Sequence, residues 1–220
     1  MMNIFSIFDP MTSMKYSWNW LIMLYIMMYL PQLYWVTPNR FIMNWNNIMM
    51  FIINELKIIL FKKIFYLHFL VIFIMIMLMN FLGLFSYIFT ASSHMMLTMS
   101  ISLPMWLTFM IIGWIFNTNH MFKHQVPSGT PNMLMSFMVM IEFVSNLIRP
   151  LTLSVRLAAN MIAGHLLLTL MSNNGPKMMM ISMMMLIMSQ SILMMLEMAV
   201  SMIQAYVFMI LTALYSSEIN

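Results

Sequence analysis

The chain alternates long uninterrupted apolar runs with short polar interludes, and the lengths of those runs predict its elements. A run of about 20 apolar residues is what a helix needs to cross a ~30 Å hydrocarbon layer. Residues 18–36 form the first such run, with Trp18, Trp20, Tyr34 and Trp35 near its ends as an aromatic belt. Residues 44–63 differ: Asn46, Asn47, Asn54, Glu55, Lys57, Lys62 and Lys63 interrupt an apolar series, which predicts a surface amphipathic helix with its ammonium groups among lipid headgroups. Residues 64–89 and 97–116 read as two further spans, the latter kinked at Pro104, and residues 117–132 as an aqueous loop.

Two longer apolar stretches follow, 133–171 and 178–215, divided by the turn Ser172-Asn173-Asn174-Gly175-Pro176-Lys177. As continuous helices they would measure ~58 Å and ~57 Å, nearly twice the hydrocarbon thickness. Either they break, for example at Pro150, or they lie steeply tilted as a hairpin. The expected fold is all-α: a polytopic membrane protein of about five membrane helices plus the surface helix, forming one membrane domain.

Composition agrees, since 63% of the residues are hydrophobic and only 6% charged, with mean hydropathy +0.92. Those values exclude a soluble domain. The 9 Lys+Arg against 5 Asp+Glu lie between spans and act as topology signals, not as a nucleic-acid surface. With five crossings one side holds Arg40, Lys57, Lys62, Lys63 and Lys123 and the other only Lys15 and Lys177. The positive-inside rule then puts the N-terminus outside and the C-terminus inside.

Cysteine is absent, which rules out disulfides, thiolate metal sites and cysteine nucleophiles. The first ten residues have neither the basic region of a secretory signal nor the Arg/Ser richness of a transit peptide, so no cleaved presequence is expected. The 37 methionines are spread along every span and not clustered as a copper array would be. Abundant Met, Ile, Phe and Asn with scarce Ala, Gly and Arg fit an A/T-rich organellar genome in which a second codon reads as Met. His120 and His124 stand four apart but lack a third ligand, and no Gly-rich phosphate loop is present. No metal and no cofactor is expected.

The chemistry concentrates in the two long runs. Glu142, Arg149 and Arg156 recur every seven residues, a drift of only ~20° per step on a helix, and Asn160 joins that face one turn later. In the last run Glu197, Ser201 and Gln204 form a second polar line. Interhelical hydrogen bonds worth ~0.6 to 2 kcal/mol each would explain the Ser, Asn and Gln. They do not explain Arg156, since an arginine at a span centre costs at least ~2.5 to 3.5 kcal/mol and demands an anion. Glu197 or another subunit could supply it. A guanidinium does not titrate below ~12 and cannot carry protons, but it favours the ionised form of an arriving carboxylate and so expels its proton. Glu142, His165 and Glu197 titrate and could pass protons on either side of that barrier.

The string S-V-R-L-A-A-N-M-I-A-G-H over 154–165, followed by L-E-M-A-V-S-M-I-Q-A-Y-V-F over 196–208, resembles subunit a of the F-type ATP synthases in its mitochondrial form, with F-D-P near the start and L-Y-S-S-E near the end agreeing less specifically. The resemblance implies a non-catalytic, proton-conducting subunit of the mitochondrial inner membrane, working with a ring of c-subunits, the peripheral stalk and other membrane-sector subunits. It implies that Arg156 faces the ring carboxylate, with Asn160 one turn on and Gln204 opposite. His165 and Glu197 match the outer half-channel and Glu142 the inner one, while Arg149 is given a structural or interfacial part. It also implies two long helices tilted around the ring. The alternatives on sequence alone are a substrate or ion transporter, a quinone-handling respiratory subunit, or a structural membrane anchor.

Overall fold

The computed structural model describes residues 4–11, 16–22, 37–60, 63–85, 88–126, 131, 133–175 and 178–219. Among them every regular element is helical. Lipid offers no partner for a backbone N–H or C=O, and an apolar helix satisfies both within itself. Six α-helices run in order: α1 Arg40–Ile59, α2 Lys63–Gly83, α3 Met95–Phe116, α4 Thr118–His124, α5 Met135–Asn174 and α6 Met180–Ile219. Short 3-10 turns cover Ile4–Phe8, Trp18–Leu21 and Ala91–Ser93. Four of the helices, α2, α3, α5 and α6, are long and apolar enough to cross a membrane. Of the span expected over residues 18–36, residues 23–36 lie outside the described residues.

Both long helices are unbroken at 40 residues each, or ~60 Å at ~1.5 Å per residue. Pro150 lies inside α5 and Pro104 inside α3 without ending either helix. Breakage at Pro150 is therefore not how the chain handles its excess length.

The core forms where α2, α5 and α6 meet. Phe69, Phe73 and Ile76 line one face of α2 at i, i+4, i+7 and pack with Leu153 and Leu157 of α5 and Phe208 and Met209 of α6. Ala205 and Ala213 of α6 are fully buried in the same cluster. Small residues there let backbones approach, and dispersion contacts take over where lipid removes the hydrophobic drive between helices.

Helix α1 buries Met49, Ile52 and Leu56 and leaves Asn54 and Lys57 exposed. Its exposed apolar side chains, including Phe41, Phe51 and Ile58, suit an interfacial position. Leu60 ends it in an extended conformation, and the Tyr66 hydroxyl donates to the Leu60 carbonyl at 2.6 Å. Tyr206 of α6 donates to Glu55 of α1 at 2.6 Å, tying this helix to the hairpin.

The expected loop at 117–132 contains a helix, α4. The reason is tertiary: Met121 is buried in the core and Phe122 packs edge-on against Trp114 with centroids 5.0 Å apart. His68 likewise serves helix packing, its Nε2 lying 3.0 Å from the Met105 sulfur.

Candidate functional site

A single helix can present two chemistries only if they lie on different faces, and α5 does this. At ~100° per residue, the nine steps from Arg156 to His165 amount to half a turn. Leu153, Ser154, Leu157, Ala158, Met161 and His165 are buried, whereas Arg156 and Asn160 are exposed. The helix itself therefore stands between the guanidinium and the imidazole.

His165 and Glu197 sit together on the inward side. A cavity of about 20 Å³ is lined by Asn80 of α2, Asn160, Gly164 and His165 of α5, and Glu197, Ser201 and Gln204 of α6, with apolar side chains closing the rest. That is the volume of roughly one water site. Its polar walls are not satisfied from among the described residues: Asn80 Oδ1, His165 Nε2 and both Glu197 carboxylate oxygens are buried and lack a hydrogen-bond partner there. The His165 imidazole also has the Gly83 backbone as a hydrogen-bonding neighbour. Buried polar atoms without partners usually mark a water, an ion or a chemical role.

At Gly164 the Glu197 side chain of α6 lies directly against the α5 backbone. A Cβ there would meet Glu197 Oε1 at 2.8 Å and Cδ at 2.9 Å. The absent side chain is thus what admits the carboxylate between α5 and α6.

The six residues singled out on sequence fall into three places. Asn160, His165, Glu197 and Gln204 share the small cavity. Arg156 stands on the exposed face, and no carboxylate among the described residues pairs with it, Glu197 included. Glu142 lies further down α5, 3.7 Å from Arg149, whose guanidinium also stacks over the Tyr215 ring at 5.0 Å. Two residues were not singled out beforehand, Asn80 and Gly164. A lone amide in an apolar span was the available signal for Asn80. Gly164 stood inside the motif without a role, and only the position of Glu197 supplies one.

Among the described residues no three His, Asp or Glu come together as a metal site. The arrangement is instead suited to protons: two titratable groups on a water-sized cavity, and a permanent cation facing outward behind one helix thickness.

A model of the family described as ATP synthase A chain matches residues 14–217. The chain belongs to the ATP synthase A chain family. An ATP synthase subunit a of Locusta migratoria is 55% identical over 223 residues, covering 100% of this chain and 99% of that protein. Those of Drosophila melanogaster and Aedes aegypti are 51% and 50% identical, covering the whole of both chains. Members of the ATP synthase A chain family are membrane-sector subunits that translocate protons and do not catalyse ATP chemistry, and this is a multi-pass member that works with other membrane-sector subunits. Family membership sets aside the transporter and quinone-handling readings.

Proposed function

We propose that this chain forms two proton half-channels against a rotating ring of c-subunits and couples proton flow to ring rotation. The observation that carries the reading is Arg156, a guanidinium near the middle of an apolar 40-residue helix, exposed and without an anion among the described residues. Such a charge is tolerable at bilayer depth where a carboxylate comes to meet it. A ring of small hairpin subunits, each with a mid-membrane acid, would bring one carboxylate after another.

A proton entering from the outer side passes His165 and Glu197 and neutralises a ring carboxylate, which can then turn through lipid. On returning, that carboxylate approaches Arg156, is stabilised as the anion, and releases its proton toward the inner side. Glu142 serves the inner path. Asn160 and Gln204 flank the crossing point as neutral hydrogen-bonding groups, and α5 separates the two routes so that protons cannot bypass the ring. The membrane potential contributes ~2.3 kcal/mol per charge per 100 mV, so several protons are needed for each ATP.

The ~60 Å length of α5 and α6 fits this reading if both lie strongly tilted, wrapping their exposed faces around the ring. The distribution of Lys and Arg supports an N-terminus on the outer side and a C-terminus on the matrix side of the mitochondrial inner membrane. Peripheral-stalk subunits hold the chain against rotation.

The test is Arg156→Ala in the reconstituted complex. Proton-driven ATP synthesis should fall below detection while the complex still assembles. Synthesis at the normal rate would sink the proposal.

A further inference from the structure

The small cavity around Glu197 is not the end of the polar space, because His165 also lines a second cavity of about 670 Å³. Its polar walls are Ser6, Asp9 and Asn19 near the N-terminus, Thr169 and Ser172 on α5, and Gln190 on α6. The turn Ile4–Phe8 packs on α5 and sets the Phe8 ring edge-on to His165 with centroids 6.5 Å apart. Asp9 follows directly and is held in place: its carboxylate accepts from the Met11 N–H at 3.0 Å, and its carbonyl accepts from the Asn19 side-chain amide at 3.3 Å.

Charge in this cavity is simple. Of the described residues lining it, contributed by the N-terminal segment, the stretch after α2, α5 and α6, only Asp9 and His165 are ionisable, and no Lys or Arg is among them. Asp9 is exposed and His165 is buried at 7% exposure. The cavity therefore leads from an accessible carboxylate to the ring of His165, whose buried Nε2 has no partner among the described residues, and the same residue borders the small cavity of Glu197.

We propose that Asp9 is a proton-collecting carboxylate at the mouth of this cavity, feeding His165. The inference rests on the outer half-channel reading above and adds to it a residue and an entrance. A single negative charge in a cleft with low-dielectric walls concentrates cations there. The step balances without any co-reactant: an O–H bond forms on the Asp9 carboxylate as one breaks in hydronium, then the proton leaves through water to the lone pair of the His165 imidazole and the carboxylate is restored. Asp9 is a positioning and collecting residue, since the ring acid is met further along.

The experiment compares Asp9→Asn, Asp9→Glu and His165→Ala in the complex reconstituted into vesicles. Proton-driven ATP synthesis is measured at a fixed total driving force while the pH of the entry side is varied. Asp9→Asn should lose about fivefold at pH 8, where protons are scarce, and less than about twofold at pH 6, where collection no longer limits the rate. Asp9→Glu should follow the wild type throughout. A profile for Asp9→Asn that matches the wild type at every pH overturns the inference. So does an equal loss at every pH that Asp9→Glu fails to restore, which would mean that the N-terminal turn only needs Asp9 for its fold. If His165→Ala is inactive while Asp9→Asn is indifferent, Asp9 alone is misassigned. If His165→Ala runs at the full rate, the half-channel reading fails with it.

Discussion

Two acid–base pairs lie on the long hairpin, and they are built in opposite ways. Near the start of α5, Glu142 is 3.7 Å from Arg149, and the guanidinium rests on the Tyr215 ring of α6. Every charge there has its counterpart within the chain. Further along, His165 and Glu197 have no ionic partner among the described residues; both line a cavity of about 20 Å³, and His165 Nε2 and both Glu197 oxygens are buried there without hydrogen-bond partners. Leaving a buried polar atom unpaired costs ~1 to 3 kcal/mol, a cost with no structural return. A pair neutralised in place holds helices together, whereas a pair kept open can take up and release something, and a one-water cavity between two ionisable groups suits a water that hands protons on.

The largest effect that would break this contrast comes from closing the open pair. Glu197→Gln keeps the shape of the side chain but removes its ability to cycle a proton, and His165→Ala removes the other station. Each should lower proton-driven ATP synthesis by ~100-fold, the usual scale for losing a positioned acid or base. Assembly and yield of the complex should be unchanged, because neither residue holds an ion pair. Rates within twofold of wild type for both variants would show the cavity to be mere packing.

A subtler perturbation leaves both groups chemically intact. In Gly164→Ala the new Cβ would stand 2.8 Å from Glu197 Oε1, so the carboxylate must swing away. It is the free end of a flexible side chain, and the backbones need not separate. Thermal stability should therefore change little while proton flux falls about tenfold, since a displacement of ~1 Å is enough to disturb transfer. Gly175→Ala is the control: a Cβ at that end of α5 meets nothing within 4 Å and leaves the cavity untouched. Equal losses in the two variants would argue that an added methyl on α5, not the placement of Glu197, is what matters.

How much of this was legible in the sequence follows from what spacing can and cannot encode. The apolar runs gave α2, α3, α5 and α6 because length against bilayer thickness is a one-dimensional quantity. The spacing of Glu142 and Arg149 foreshadowed their contact, seven residues being nearly two turns. What was hidden depends on a second element. Helix α4 forms where 117–132 read as a loop, because Met121 and Phe122 find partners on other helices. Pro150 looked able to break α5, yet the helix passes through it. Asn80 and Gly164 matter only because α2 and α6 bring them to Glu197's cavity. Even the pairing of Arg156 with Glu197, open on sequence, depends on how α6 meets α5, and among the described residues Arg156 is exposed with no carboxylate at salt-bridge distance.

The smallest expected effect separates two roles within the closed pair. Glu142 carries the expectation of an inner half-channel residue, and Arg149 that of a structural one, yet they are bonded to each other. Arg149→Met removes both the contact to Glu142 and the cation–π stacking on Tyr215, interactions worth on the order of 0.5 to 2 kcal/mol together at this half-exposed site. Melting of the complex should drop slightly and flux should stay within about twofold. Glu142→Gln removes the same ion pair but also a proton acceptor, so its flux should fall several-fold more than that of Arg149→Met at equal stability. If the two variants lose flux equally and in step with stability, Glu142 belongs with Arg149 as a helix clamp, and the inner path must begin at Arg156 itself.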